Sequence, residues 1–166
     1  MNNTTRRNLI KKIGQASVIG TIGSSALLNS KKVSAASKSK IRIGAPLPLT
    51  GMFSGDGEEF RRGITMAIED INAVGGVCGH EVEAVIDDAQ DSFVEQVRAS
   101  FERLVRKEKV DAIVCGYLIG SPAADMDLVA EAGIPYLNQH AQVKVSEQIE
   151  ANPNKYSMIF QTCPPG

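Results

Sequence analysis

Three acids, Asp87, Asp88 and Asp91, crowd within five residues, and a lone histidine, His140, stands beside Ala141 and Gln142. Close carboxylates can hold a cation or accept a phosphoryl group, but the Asp-x-Asp-x-Asp-Gly order of a calcium loop is missing, so these acids read as solvated loop residues. His140 is either a ligand contact or a solvated loop histidine, since one imidazole alone defines no site. Cys78, Cys115 and Cys163 are widely spaced, with no Cys-x-x-Cys pair and no histidine cluster, which argues against zinc. Cys115 lies in an apolar run and reads as a small buried hydrophobe. There is no Gly-x-Ser-x-Gly, no phosphate loop, no Gly-x-Gly-x-x-Gly between Gly44 and Gly57, and no nucleophile with a plausible histidine partner. Neither catalysis nor a cofactor or metal is expected.

Two positions read as helix starts. Ser121-Pro122 pairs a favoured N-cap with a residue pre-organised for the first helical position. The unpaired N–H groups and dipole of such a terminus attract anions, so Ser121 reads as a cap alone or as a cap that also meets a ligand carboxylate. Asp56, followed three residues later by Glu59, is close to a capping box.

The surrounding pattern alternates in period. Ile41-Arg42-Ile43-Gly44-Ala45 alternates as a strand, and residues 56–74 place Phe60, Ile64, Ala67, Ile68 and Ile71 on one helical face, closed by Gly75-Gly76. A strand over 81–87 follows, then a helix marked by Phe93, Val97, Phe101, Leu104 and Val105. The continuous apolar run 112–115 predicts a central strand covered on both faces. A helix from Ser121-Pro122 to Gly133, a strand over 134–137, a short helix over 143–150 and a strand over 156–161 complete a β-α-β-α-β-α-β-α-β order. Strict alternation predicts an α/β fold, a doubly wound parallel sheet with helices on both faces. Ligands of such sheets sit at the carboxyl ends of the strands, here the loops 46–57, 116–121 and 138–142.

Composition limits the partners. The formal charge of −1 hides an asymmetry: the first forty residues hold eight Lys or Arg and no acid, leaving ten basic against nineteen acidic residues, a net −9, from Ile41 onward. That sign argues against nucleic acid, whose phosphates need clustered Lys and Arg. The basic head reads as an export signal over residues 1–36, ahead of a body over 37–166. Arg6-Arg7 precedes an uncharged run of 16 residues, 13–28, which is shorter than the roughly 20 a membrane anchor needs. The stretch 5–11 is similar to a twin-arginine motif, an ordinary secretory signal being the alternative, and Val33-Ser34-Ala35 or Ser34-Ala35-Ala36 offers a cleavage site. The head is thus expected to engage the export machinery and membrane transiently, placing the body in the periplasm or at the extracellular face.

The body resembles the branched-chain amino acid and amide binding family of type I periplasmic binding proteins. The likeness is carried by residues 41–51, by Gly57-Glu58-Glu59-Phe60-Arg61-Arg62-Gly63, by residues 67–77 with their helix-to-Gly-Gly passage, by Asp87-Asp88-Ala89-Gln90-Asp91, by Glu131-Ala132-Gly133-Ile134-Pro135 and by Ile159-Phe160-Gln161-Thr162. It implies one lobe of a two-lobed binder that traps a solute on closing, with the chain stopping near the crossing into the second lobe, as a fragment would. It further implies an extracytoplasmic protein that hands a small amino acid, amide or related carboxylate to an ABC permease, or else the sensing module of a receptor or regulator. On that resemblance Gly120 and Ser121 offer backbone N–H groups and a hydroxyl to a ligand carboxylate. His140-Ala141-Gln142 occupies a ligand loop that usually reads Gly-Ala-Thr or Ser-Ala-Thr, so His140 and Gln142 depart from the pattern. Asp56 stands where leucine-type binders have an aromatic wall, and could meet a ligand amine or amide if it does not simply cap its helix. Phe53 and Tyr117 could supply the wall instead, or merely pack.

Overall fold

The computed structural model describes residues 40–114, 118 and 122–164. The export-signal reading, Cys115 and the candidates Tyr117, Gly120 and Ser121 lie outside the described residues. Five strands, β1 (Ile41–Leu47), β2 (Val82–Asp88), β3 (Ala112–Val114), β4 (Tyr136–Asn138) and β5 (Ile159–Gln161), form one wholly parallel sheet in the order β2-β1-β3-β4-β5. The helices α1 (Ser54–Ala73), α2 (Val94–Glu102), α3 (Pro122–Ala132) and α4 (Val143–Ala151) connect them in turn. β3 is central, as its apolar run predicts. The order reverses after β2: the chain steps outward from β1, then returns past it to β3. Beside β1 lies the switch point at which such sheets open a crevice.

Boundaries move by one to three residues from the sequence reading. β4 begins at Tyr136 rather than at Ile134, and β5 at Ile159, with Tyr156 buried in the preceding turn. α1 begins at Ser54, ahead of Asp56. It closes where Gly75 and Gly76 take φ of 101° and 75°, and the Gly76 N–H returns to the Ile71 carbonyl at 2.9 Å. α2 runs on into a π-helical turn, Arg103–Glu108, which the left-handed Lys109 ends.

The core fills one face of the sheet. Register places Ile113, Tyr136 and Ile159 in a row across β3, β4 and β5, all buried, under Val97 and Phe101 of α2, Leu104 of the π-helical turn, Met126 and Val129 of α3 and Val145 of α4. Phe101 meets the Tyr136 ring edge-on, centroids 5.5 Å apart. The next row, Val114, Leu137 and Phe160, points to the other face, where Leu137 keeps 42% and Phe160 49% of its surface exposed. On that side α1 lies over β1 and β2. Its apolar face is therefore only half covered: Phe60, Ile64 and Ile68 are half-buried and Ile71 is exposed.

The ladders of β1 are unequal. Among the described residues seven pairs join it to β2, and two, Ile43 with Ala112 and Gly44 with Ile113, join it to β3. Odd-numbered residues of β1 bond toward β2, as when the Ile41 N–H reaches the Glu81 carbonyl at 2.9 Å. Even-numbered ones bond toward β3, as when Arg42 accepts from the Asp111 N–H at 2.8 Å. Pro46 falls on the β3 side and has no N–H to give.

Candidate functional site

At the carboxyl ends of the strands the loops are tied down by the three acids that the sequence suggested were solvated. That reading is corrected here: each carboxylate is engaged by the backbone or by a cation. Asp88, the last residue of β2, accepts from the N–H groups of Leu49, Thr50 and Gln90 at 3.0, 3.2 and 2.8 Å and from the Thr50 hydroxyl at 2.8 Å. Burial opposes its charge, but these donors outweigh that and hold its carboxyl below the ordinary range. Asp91 accepts from the Met52 N–H at 2.8 Å, and Asp87 takes both ends of the Arg103 guanidinium at 2.9 and 2.5 Å. Among the described residues no three metal-ligating side chains converge. Close packing fixes the same corner, because a Cβ on Gly57 would stand 2.1 Å from the Pro48 carbonyl oxygen.

The loop after β4 is fastened from both sides. Asn138, fully buried, accepts from the His140 N–H at 2.7 Å, and Gln161 of β5 reaches across to the carbonyls of His140 and Gln142 at 2.7 and 3.4 Å. Thr162 bonds the Asn138 carbonyl through its N–H at 2.8 Å and its hydroxyl at 3.2 Å. His140 is therefore no solvated loop histidine. It keeps 6% of its surface, and burial pushes its imidazole below the ordinary range, against a hydrogen bond to the Leu118 backbone.

Over this loop lies a cavity of about 590 Å³, lined by Phe60, Leu118, residues 139–142 and residues 162–164. A second, of about 380 Å³, shares Phe60 and Gln139 with it and lies between α1 and Val114 of β3. Both are within the usual size of small-molecule sites. The structure places His140, Ala141 and Gln142 on the lining of the larger cavity. Asp56 and Phe53 do not line it: Asp56 is exposed in the first turn of α1 and Phe53, half-buried, precedes that helix. The near-capping box is not formed, since the helix starts two residues before Asp56 and Glu59 pairs with Arg62 at 2.8 Å.

Sequence reasoning missed Phe60, Leu118, Gln161 and Thr162. Phe60 reads as one more residue of a core-facing stripe, and only the uncovered sheet on that side turns it into a wall. The signal that could have found Gln161 and Thr162 is their place at the carboxyl end of a strand, where polar side chains face a loop instead of the core.

The family model for periplasmic binding proteins matches residues 40–163. The chain belongs to the periplasmic binding protein family. Within that family it is 30% identical over 135 residues to Leu/Ile/Val-binding protein homolog 8 of Brucella abortus, the match covering 81% of this chain and 32% of that one. A solved structure from Silicibacter pomeroyi, assigned to branched-chain amino acid ABC transport, superposes with a TM-score of 0.74 at 37% identity, over 76% of this chain and 32% of its own. The solute-binding protein of an ABC transporter from Rhodopseudomonas palustris, solved with 4-hydroxybenzoate, superposes with a TM-score of 0.57 at 26% identity, over 75% and 32%. The chain spans about a third of the length of these periplasmic binding proteins.

Proposed function

We propose that this chain is the first lobe of an extracytoplasmic solute-binding protein serving an ABC importer, and that its solute is a small amino acid, amide or related carboxylate. The cavity at the carboxyl ends of β4 and β5 carries this reading. It is concave, walled by Phe60 and Leu118, floored by a loop whose polar groups are fixed from behind, and placed on the rim where doubly wound sheets hold ligands. Its lining combines apolar walls with the amides of Gln139 and Gln142, the Thr162 hydroxyl, His140 and Cys163, a set that can orient a small polar solute by hydrogen bonds. The relatives that match along this chain include a Leu/Ile/Val-binding homolog and a binder solved with 4-hydroxybenzoate, and a carboxylate is common to those named solutes. One lobe supplies one wall, so tight capture belongs to the polypeptide with both lobes, and hand-over to a permease follows.

The test is thermal unfolding of the full polypeptide against a panel of aliphatic amino acids, their amides and benzoates, repeated with Ala141→Phe, which fills the cavity floor. At least one solute of the panel should raise the unfolding temperature of the parent and leave that of the variant unchanged. A panel without effect, or a variant that responds as the parent does, defeats the reading.

A further inference from the structure

Behind the cavity floor lies a buried polar cluster that the loop fastenings described above do not use. Asp125 of α3 is 1% exposed and does not line the cavity; its Oδ2 accepts from the Tyr136 hydroxyl of β4 at 3.0 Å. The same oxygen stands 3.9 Å from His140 Nε2, with the two side chains 0% and 4% exposed. Among the described residues His140 Nε2 has no hydrogen-bond partner, and Asp125 Oδ2 is the carboxylate oxygen that faces it. A buried imidazole with an unspent nitrogen and a buried carboxyl this close meet that deficit most cheaply by holding one proton between them.

We propose that Asp125 is a positioning residue for the cavity: it and His140 carry a single shared proton, and that proton fastens the 139–142 loop to α3. With one proton the pair is neutral overall, either as carboxylic acid and imidazole or as carboxylate and imidazolium, and either form closes the gap with a hydrogen bond. With two protons or none a net charge is left under the floor where water does not reach. Burial acts on both groups in the sense the pairing requires. It raises Asp125 to about 7, against the Tyr136 hydroxyl and the backbone of Asp125 and Met126, and it lowers His140. Among the described residues the titratable side chain bonded to the pair is Tyr136 from β4, with Phe101 of α2 against its ring and the Leu118 backbone bonded to His140. Asp127, the next acid on α3, is taken up by Lys155 at 2.7 Å and the Tyr156 hydroxyl at 2.6 Å.

The pairing has a signature in stability that mere packing lacks. Between about pH 4 and 6.5 the unfolded chain holds one proton on these two residues, on the histidine, and the folded chain also holds one, so their pH dependences cancel. Replacing either partner uncovers the other. In Asp125→Asn the folded protein keeps a neutral histidine that the unfolded chain protonates. Relative to the parent, its unfolding constant should rise, by up to about tenfold per pH unit, as pH falls below 6.5 and until the lowered folded value of the histidine is reached. In His140→Gln the folded protein keeps a protonated carboxyl that the unfolded chain ionises, so its unfolding constant, again relative to the parent, should rise about tenfold per unit as pH rises from 4 toward 7.

The experiment is denaturant unfolding of the full polypeptide and the two variants across pH 4 to 8, together with an NMR titration of the His140 imidazole in the parent and in Asp125→Asn. Opposite slopes in the two variants, and an imidazole whose titration moves when Asp125 is replaced, are the expected results. Variants offset from the parent by a constant at every pH, or an imidazole titrating identically in both proteins, would overturn the proposal. If His140→Gln does not fold, Asp125→Asn and the imidazole titration decide it alone. None of these measurements needs a solute, so their failure would leave the proposed function untouched.

Discussion

Asp88 shows how little a residue's type says about its work until its neighbours are placed. Four donors converge on it, three of them from the loop that follows β1, so it fastens that loop to the end of β2. Asp88→Ala should destabilise the fold by about 1 to 2 kcal/mol, because the half-buried Leu49 N–H is left without an acceptor while the exposed Thr50 and Gln90 donors return to water. Asp88→Asn, which keeps one acceptor oxygen, should cost less. The pH dependence has a definite sign. Since the folded carboxyl is held below its ordinary value, its contribution is present above about pH 4 and is lost as pH falls through the depressed folded value. Denaturant midpoints of parent and Asp88→Asn should therefore converge as the solution is acidified. In the sequence Asp88 was one of three neighbouring acids with no cation motif, and nothing local distinguished a staple from a solvated group; its donors come from 38 and 39 residues away.

At the scale of elements, alternation of period was enough to read the order of strands and helices and the rim on which the site lies. What it could not supply was contact across the sheet. The β4 loop read as ligand-facing from its place after a strand, yet the residue that holds it, Gln161, belongs to another strand. Gln161→Ala should leave the sheet intact, cost about 1 kcal/mol for its hydrogen bonds to the loop carbonyls, and weaken solute capture by a larger factor than it weakens stability. Unfolding and solute titration on one preparation would check both parts. The helix starts were half legible for a similar reason. Pro122 opens α3 as its type dictates, but the start of α1 is settled by packing, where the fit of Gly57 against Pro48 matters more than the acid at position 56. The candidates at 117, 120 and 121 gained nothing from the fold, since they fall outside the described residues.

At the scale of the whole molecule the two faces of the sheet are unlike. The row Ile113, Tyr136, Ile159 is sealed by three helices, whereas the row Val114, Leu137, Phe160 has α1 to one side and open surface elsewhere among the described residues. A wholly parallel sheet is ordinarily covered on both faces, and the imbalance was not legible in the sequence because the run 112–115 and the Tyr136-Leu137 and Ile159-Phe160 pairs are apolar toward both faces. Residues 37–166 produced alone should therefore bind a hydrophobic dye and self-associate. Leu137→Asp with Phe160→Ser should reduce both while shifting the denaturant midpoint little, because these side chains are already wet. Dye fluorescence and sedimentation of the two proteins would measure it; equal dye binding would mean that the row is covered after all.

Pro46 carries a consequence of its own. Two neighbouring extended chains close on one another as a zipper does, tooth by tooth, and on the edge of β1 that faces β3 the ring at Pro46 has no tooth to offer. What is missing there is a single amide hydrogen, and no adjustment of the side chains around it can put that donor back.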